Sequence, residues 1–300
     1  MAHKHNQSIN ELHLSRVFFL GIILNVIYVV VEIVYGLLLN SSALLSDAGH
    51  NFGDIISLLI GAIAFYLAKI KPKGNYTYGL NKITVFAPFV NSILLLIAVG
   101  AVVMHSFKRL LSPVPLDSII IMIVASVGIF INSLSAWLFF KDRKKDINVK
   151  VVFWHLVADA LVSVGVVLGA IIIKFTGAYW IDGFVGLVIS VIILVSAWEL
   201  LRDSFLMMID VVPKGVDIED IKKVLVAESE VVSVHHIHVW AISTTLLSLT
   251  VHVVVSNNYT LKELEQIKVK LKNKLAKKGI LHSTIEFESQ DFQCKHDYEC

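Results

Sequence analysis

Two pairs of side chains in this sequence have the types and spacing of metal ligands. His50 and Asp54 stand four apart in SDAGHNFGDIIS, and His155 and Asp159 repeat the interval in VVFWHLVADALVS. Residues four apart on a helix share a face, so each pair presents one imidazole nitrogen and one carboxylate oxygen to the same side. Together they supply two nitrogens and two oxygens, enough to close a tetrahedral shell around a first-row divalent cation of the Zn²⁺ kind. Two carboxylates also carry about the charge that such an ion cancels, which makes its burial tolerable. A filled shell leaves no open position for water or substrate, so the set fits transport better than hydrolysis. Imidazoles must be neutral to bind metal, so protons compete for the same atoms, and a histidine pKa of ~6.5 places that competition near physiological pH. A site that trades metal for protons while access alternates implies a metal/H⁺ antiporter.

Both pairs lie in tracts that read like the inside of a bilayer. The 300-residue chain is 56% hydrophobic and 17% charged, more apolar sequence than one soluble core uses. It is expected to be a polytopic α-helical membrane protein. A crossing needs about 20 apolar residues, and six segments qualify: 17–39, 43–68, 83–107, 118–140, 151–174 and 180–200. The polar N-terminus MAHKHNQSINELHLSR is not a cleavable signal peptide, so the first span is expected to direct insertion. The N-terminal arm and the 69–82 and 141–150 loops hold about eleven Lys/Arg, against about three in the other connectors, which places both termini in the cytoplasm. The expected organisation is a cytoplasmic arm over 1–16, a six-helix transmembrane domain over 17–208 and a cytoplasmic domain over 209–300. A net charge of +2 is too small to point to nucleic acid.

The tail has the pattern of a small α+β domain. Asp217 is placed to N-cap a helix with Ile218, Ile221, Val224 and Leu225 at helical spacing. The alternating runs VVSVHHIHVWAI and LLSLTVHVVVS read as paired strands. Thr260 and Glu263 form a capping box ahead of the stripe Leu261, Leu264, Ile267, Leu271 and Leu275, with Gly279 as a stop. HSTIEFES supplies a third strand, giving the order αββαβ. Residues two apart on a strand share a face, so His236 and His238 are expected to point together and His235 away, with His252 on the neighbouring strand.

A single intramembrane histidine or carboxylate serves equally well as a helix-packing hydrogen bonder; a matched quartet is harder to explain so. Asp47 reads as an interhelical hydrogen bonder or an outer-mouth group. Glu32 and Asp182 read as packing or vestibule groups, and Asn25, Asn91 and Asn132 as bridges between helices. The two cysteines, Cys294 and Cys300, exclude a disulfide framework across the fold. His3 and His5 are able to capture metal, but an expression scar or a solvated arm is the commoner explanation. A different class of function, a membrane-embedded metal sensor or metalloenzyme through which nothing crosses, is separated from a transporter by metal movement under an imposed proton gradient.

The motifs SDAGHNFGD, HLVAD and VHHIHVWAI…LTVHVVV…HSTIEFE resemble the cation diffusion facilitator family over essentially the whole chain. The resemblance implies six transmembrane helices with a cytoplasmic metallochaperone-like domain, and a homodimer that exports or sequesters Zn²⁺, often Cd²⁺ as well, in exchange for protons. It implies an integral membrane protein, of the plasma or inner membrane, and not an enzyme. It carries the transport site to His50, Asp54, His155 and Asp159. A cytoplasmic zinc site is carried to His236, His252 and Glu286, with Cys294 and Cys300 at positions similar to the terminal cysteines of vesicular zinc transporters. Some relatives hold a further metal after the second span, but KPKGNYTYGLNK has no His, Asp or Glu, so none is expected there. Lys82 and Asp210 match positions that form a charge interlock in relatives, while Lys82 also satisfies the positive-inside rule alone.

Overall fold

A computed structural model describes residues 23–140, 147–256 and 259–292. The arm with His3 and His5, and Cys294 and Cys300, lie outside the described residues. The chain forms α1 (Ile23–Leu39), α2 (Ser42–Ala68), α3 (Ile83–Leu111), α4 (Ser118–Phe139), α5 (Ile147–Thr176) and α6 (Trp180–Met208), then α7 (Ile218–Val226), β1 (Val231–Ala241), β2 (Leu247–Val255), α8 (Leu261–Lys277) and β3 (Ile280–Ser289). Helices α2 to α6 are long and apolar enough to cross a membrane, and α1 is a shorter apolar helix as described. Several run past their apolar cores: α3 has 29 residues, about 43 Å at 1.5 Å per residue against ~30 Å of hydrocarbon.

The chain divides into two compact units. One comprises the chain up to Leu59 with Asn91–Glu199, the other Ile60–Val90 with the chain from Leu200 onwards. The first is apolar outside and polar within. Leu38, Phe130, Leu161 and Phe175 are exposed, whereas Glu32, Asp47, Asn91, Asn132 and Ser163 are buried, the pattern of a surface that meets lipid rather than water. Its core joins five helices through Leu44, Val99, Ala125, Val166 and Ile193.

Small residues let these helices approach closely. A Cβ added at Gly186 of α6 would lie 2.7 Å from the backbone of Ser42 and 2.8 Å from Ser106 Oγ, and one at Gly183 would lie 2.6 Å from Leu110 N. That approach brings Asp182 to the start of α2, where Oδ1 accepts from Ser41 Oγ at 2.5 Å and Oδ2 from Ser42 N at 2.6 Å. A helix start leaves backbone N–H groups without intrahelical partners, and here a carboxylate from another helix caps them, with the favourable sign for the helix dipole. Gly186→Val is therefore expected to lower the thermal unfolding midpoint sharply in detergent, by overpacking worth about 1–3 kcal/mol or more. Gly165→Ala, where an added Cβ meets nothing among the described residues within 4 Å, should leave it unchanged or raise it.

In the second unit the tail folds as the order αββαβ. β1 and β2 pair antiparallel and β2 and β3 parallel, in the order β1-β2-β3; the parallel pair needs the α8 crossover. Asp217 caps α7 by accepting from Glu219 N, and Thr260 and Glu263 make the reciprocal capping box of α8. Gly279 ends that helix at φ +84°, a left-handed conformation that glycine adopts without strain. Ile221 and Leu225 of α7 and Ile267, Leu271 and Leu275 of α8 bury against Val234, Val239, Leu249, Val251 and Val253. Leu261, expected in the same stripe, is exposed, because it is the first helical residue and precedes the turn that meets the sheet. Lys270 donates to Glu230 at 2.7 Å and holds that carboxyl down to about 2; an exposed pair of this kind contributes little stability. Lys82 meets both Asp210 Oδ1, at 2.6 Å, and the carbonyl of Ala241, at 3.0 Å, so it makes specific contacts beyond its part in the charge count.

Candidate metal centre

Helices α2 and α5 bring the four ionisable residues together in crossed pairs. His50 Nε2 lies 3.3 Å from Asp159 Oδ1, and His155 Nε2 lies 3.2 Å from Asp54 Oδ2. Within each helix the partners are farther apart, 3.9 Å for His50 and Asp54 and 3.7 Å for His155 and Asp159. Each imidazole thus faces the carboxylate of the other helix, with ring centroids 6.0 Å apart. Three of the four, His50, Asp54 and Asp159, form the tightest group, which leaves out His155, and Asp159 is its most buried member at 3% exposure. Ligand atoms of His50, Asp54 and Asp159 all lie within 4.8 Å of one another. A cavity of about 250 Å³ opens onto this point, lined by Asp54, His155 and Asp159 together with Asn25, Asn51 and Ser135.

A buried polar network stands behind the quartet. Asp47 accepts from Ser163 Oγ of α5 at 2.8 Å and from Asn51 Nδ2 at 3.4 Å. Asn51 Nδ2 also reaches Glu32 Oε2 of α1 at 3.2 Å, and Tyr28 OH donates to Glu32 Oε1 at 2.7 Å. Asp47 and Glu32 accordingly tie α1, α2 and α5 together, fixing the helix turn that carries His50 and Asp54. Asn91 bridges α3 to α2 by donating to Ser57 Oγ at 2.6 Å. Asn132 departs from the expectation, since neither of its amide atoms has a hydrogen-bond partner among the described residues.

The tail holds a second cluster, and its membership differs from that expected. His252 Nδ1 lies 2.7 Å from Glu288 Oε1, and His235 Nε2 lies 3.1 Å from Glu288 Oε2. His235, His252 and Glu288 have ligand atoms within 4.8 Å of one another. Of the expected trio only His252 belongs to this set; Glu286 lies at 3.5 Å from His252 Nε2, and His236 borders it with ring centroids 5.1 Å from His235 and from His252. The physical reason is a β-bulge. The register jumps between His235 and His238, which face His252 and Thr250, and His236 takes φ +48°. His235 shares the face of His252 as its direct cross-strand partner, and strict alternation fails at the step that follows, where His236 lies.

Comparison with known proteins agrees with this architecture. The family model described as the cation efflux transmembrane domain matches residues 18–209, and that described as the cation efflux protein, cytoplasmic domain, matches residues 213–290. The chain is 31% identical over 292 residues to a protein of Bacillus subtilis (strain 168) named cadmium, cobalt and zinc/H(+)-K(+) antiporter, covering 97% of this chain and 93% of that protein. The chain belongs to the cation efflux, or cation diffusion facilitator, family. It is also 32% identical over 296 residues to the zinc transporter ZitB of Escherichia coli (strain K12), covering 97% and 93% of the two. A solved structure of the metal-bound C-terminal domain of the CzcD transporter of Cupriavidus metallidurans is 40% identical, covers 24% of this chain and 99% of that one, and has a TM-score of 0.22.

The protein is therefore an integral membrane protein and a cation efflux transporter, from a family of transporters and not of enzymes. Its transmembrane quartet is visible in the helical spacing alone. Glu288 in this cation efflux chain has no such local signal: it sits two residues beyond Glu286 in an alternating strand, and only the β2–β3 register, which sets Glu286 opposite His252, brings its carboxylate to the histidine.

Proposed function

We propose that this chain is a Zn²⁺/H⁺ antiporter that moves zinc, and Cd²⁺ as a second substrate, out of the cytoplasm, with His50, Asp54, His155 and Asp159 as the transport site. The observation that carries this reading is the crossed pairing of two imidazoles and two carboxylates between α2 and α5, in a cavity within the membrane-crossing helices. The donor set suits Zn²⁺, and the names of the relatives from Bacillus subtilis and Escherichia coli support zinc as substrate. Proton binding to the imidazoles removes ligands and releases the metal, which couples the two fluxes. Zinc uptake into sealed proteoliposomes, with and without a pH gradient, tests it: uptake against the zinc gradient is expected only when the proton gradient is imposed. Replacing the potassium in the buffer separates proton coupling from the combined coupling named for the Bacillus relative.

The protein works as a homodimer with both termini in the cytoplasm, a reading supported by the match to the family's cytoplasmic domain and by the Lys/Arg distribution. We assign a cytoplasmic zinc site to His235, His252 and Glu288, with Glu286 and His236 at its margin. Zinc bound there favours one arrangement of the tail domains and so ties transport rate to cytosolic zinc, which requires tighter binding to one arrangement than to the other. Glu288→Ala removes the carboxylate that touches both histidines. The full-length variant is expected to bind less zinc per chain in a calorimetric titration while keeping its zinc-over-manganese preference. Unchanged zinc binding would remove Glu288 from the site.

A further inference from the structure

We propose that Ser135 of α4, backed by Asn132 one turn away, forms a step of neutral oxygen groups that strips water from the divalent cation as it moves through the cavity to the quartet. Asn132 is fully buried and Ser135 nearly so, yet neither amide atom of Asn132 nor Ser135 Oγ has a hydrogen-bond partner among the described residues. Burying such groups without a partner costs about 1–3 kcal/mol each. Asn91 and Ser163 of the same unit do not bear that cost, since Asn91 donates to Ser57 and Ser163 to Asp47, whereas Ser106 Oγ is also buried without a partner among the described residues. Of these unpartnered hydroxyl and amide groups, Ser135 is the one that lines the cavity holding Asp54, His155 and Asp159.

Placement gives the second, independent observation. The buried face of α4 runs Gly128, Asn132, Ser135, Phe139. At Gly128 the phenol of Tyr28 from α1 fills the space a side chain would take. Asn25, one turn from Tyr28 in α1, and Ser135, two turns from Gly128 in α4, line the cavity that holds Asp54, His155 and Asp159, and Asn132 lies between Gly128 and Ser135, one turn behind the lining. Asn51 stands on the same cavity, its amide nitrogen donating to Glu32 and Asp47. Amide and hydroxyl oxygens imitate the water they replace and add no charge. They therefore ease dehydration without holding the ion, whereas a further carboxylate would trap it.

This inference rests on the transport site proposed above, and the test separates the two. Zinc uptake is measured in proteoliposomes for the wild type, His155→Ala, Ser135→Ala and the combined Asn132→Leu/Ser135→Ala protein, each with its thermal midpoint in detergent. The combined variant is expected to lose about tenfold in kcat/KM with its midpoint unchanged or raised, because two unsatisfied polar side chains have been removed. Ser135→Ala, a small change that keeps the test available if the leucine protein does not fold, should show a smaller loss in the same direction, and Ser135→Thr should recover it. Wild-type kcat/KM in Ser135→Ala and in the combined protein overturns the step, as does a loss that comes with a lowered midpoint, the mark of a packing role. If His155→Ala also transports like the wild type, the quartet itself fails and the step falls with it.

Discussion

Replacing either His155 or Asp159 by alanine is expected to abolish zinc uptake while leaving a folded protein. Each residue makes one contact across to α2 and one along its own helix. His155 Nε2 lies 3.2 Å from Asp54 and 3.7 Å from Asp159, and Asp159 lies 3.3 Å from His50. Removing either leaves three ligands and a side open to the cavity. Loss of Asp159 also leaves one carboxylate against a divalent charge in a buried place, which raises the cost of holding the ion. Changes to groups that merely support ligands cost 10–100-fold in metal affinity, so loss of a ligand should cost more than about a hundredfold in uptake. The fold should survive, because the contacts that fix α2 and α5 are others: Ser163 to Asp47, and the Ala43, Leu44, Val166 and Ala170 core. Zinc flux, read beside size exclusion and thermal unfolding, checks this. Near wild-type flux in either variant would remove the site from the mechanism.

That the quartet can be read from the chain, while the tail site cannot be read in full, has a geometric cause. The four-residue spacing of His50 and Asp54, or of His155 and Asp159, puts two side chains on one helical face whatever the rest of the fold does. Which imidazole faces which carboxylate is a matter of helix packing, and the short contacts run between helices. In β1 the alternation rule is equally local, but a single bulge breaks it. His235-His236-Ile237-His238 carries no glycine to announce one, and the left-handed φ of His236 falls where the β1–β2 register shifts. Asp182 shows the same limit. Its carboxylate caps a helix 140 residues earlier in the chain, a partnership that no local pattern encodes, whereas the Thr260–Glu263 box lies within one turn and is legible at once. Helices outrun their apolar segments wherever charged residues such as Arg109, Glu199 or Arg202 follow, because backbone hydrogen bonding continues past the hydrocarbon that the apolar count measures.

His50→Asp is expected to keep transport and lose discrimination. First-row divalent ions follow a rank order that favours zinc over manganese at almost any site, so selectivity depends on how the ligand set and its geometry add to that order. His50 supplies one of only two nitrogens, and its Nε2 reaches across to the deepest carboxylate, Asp159 Oδ1, at 3.3 Å. An aspartate in its place keeps an oxygen at the same helical address, removes one nitrogen and sets a third carboxylate beside Asp54 and Asp159. Oxygen-rich, more negative sites suit harder ions, and the added charge must be balanced by the cargo or by a proton. The zinc-to-manganese uptake ratio should therefore fall by about tenfold, the equivalent of ~1.4 kcal/mol. The pH dependence of uptake should also change, since one of the two imidazoles proposed to trade metal for protons has gone. His155→Asp offers the mirror experiment, because His155 faces Asp54 as His50 faces Asp159. Side-by-side zinc and manganese uptake in an active His50→Asp protein decides the matter: an unchanged ratio would mean that the nitrogen of His50 does not set ion choice and that the geometry of α2 and α5 sets it alone.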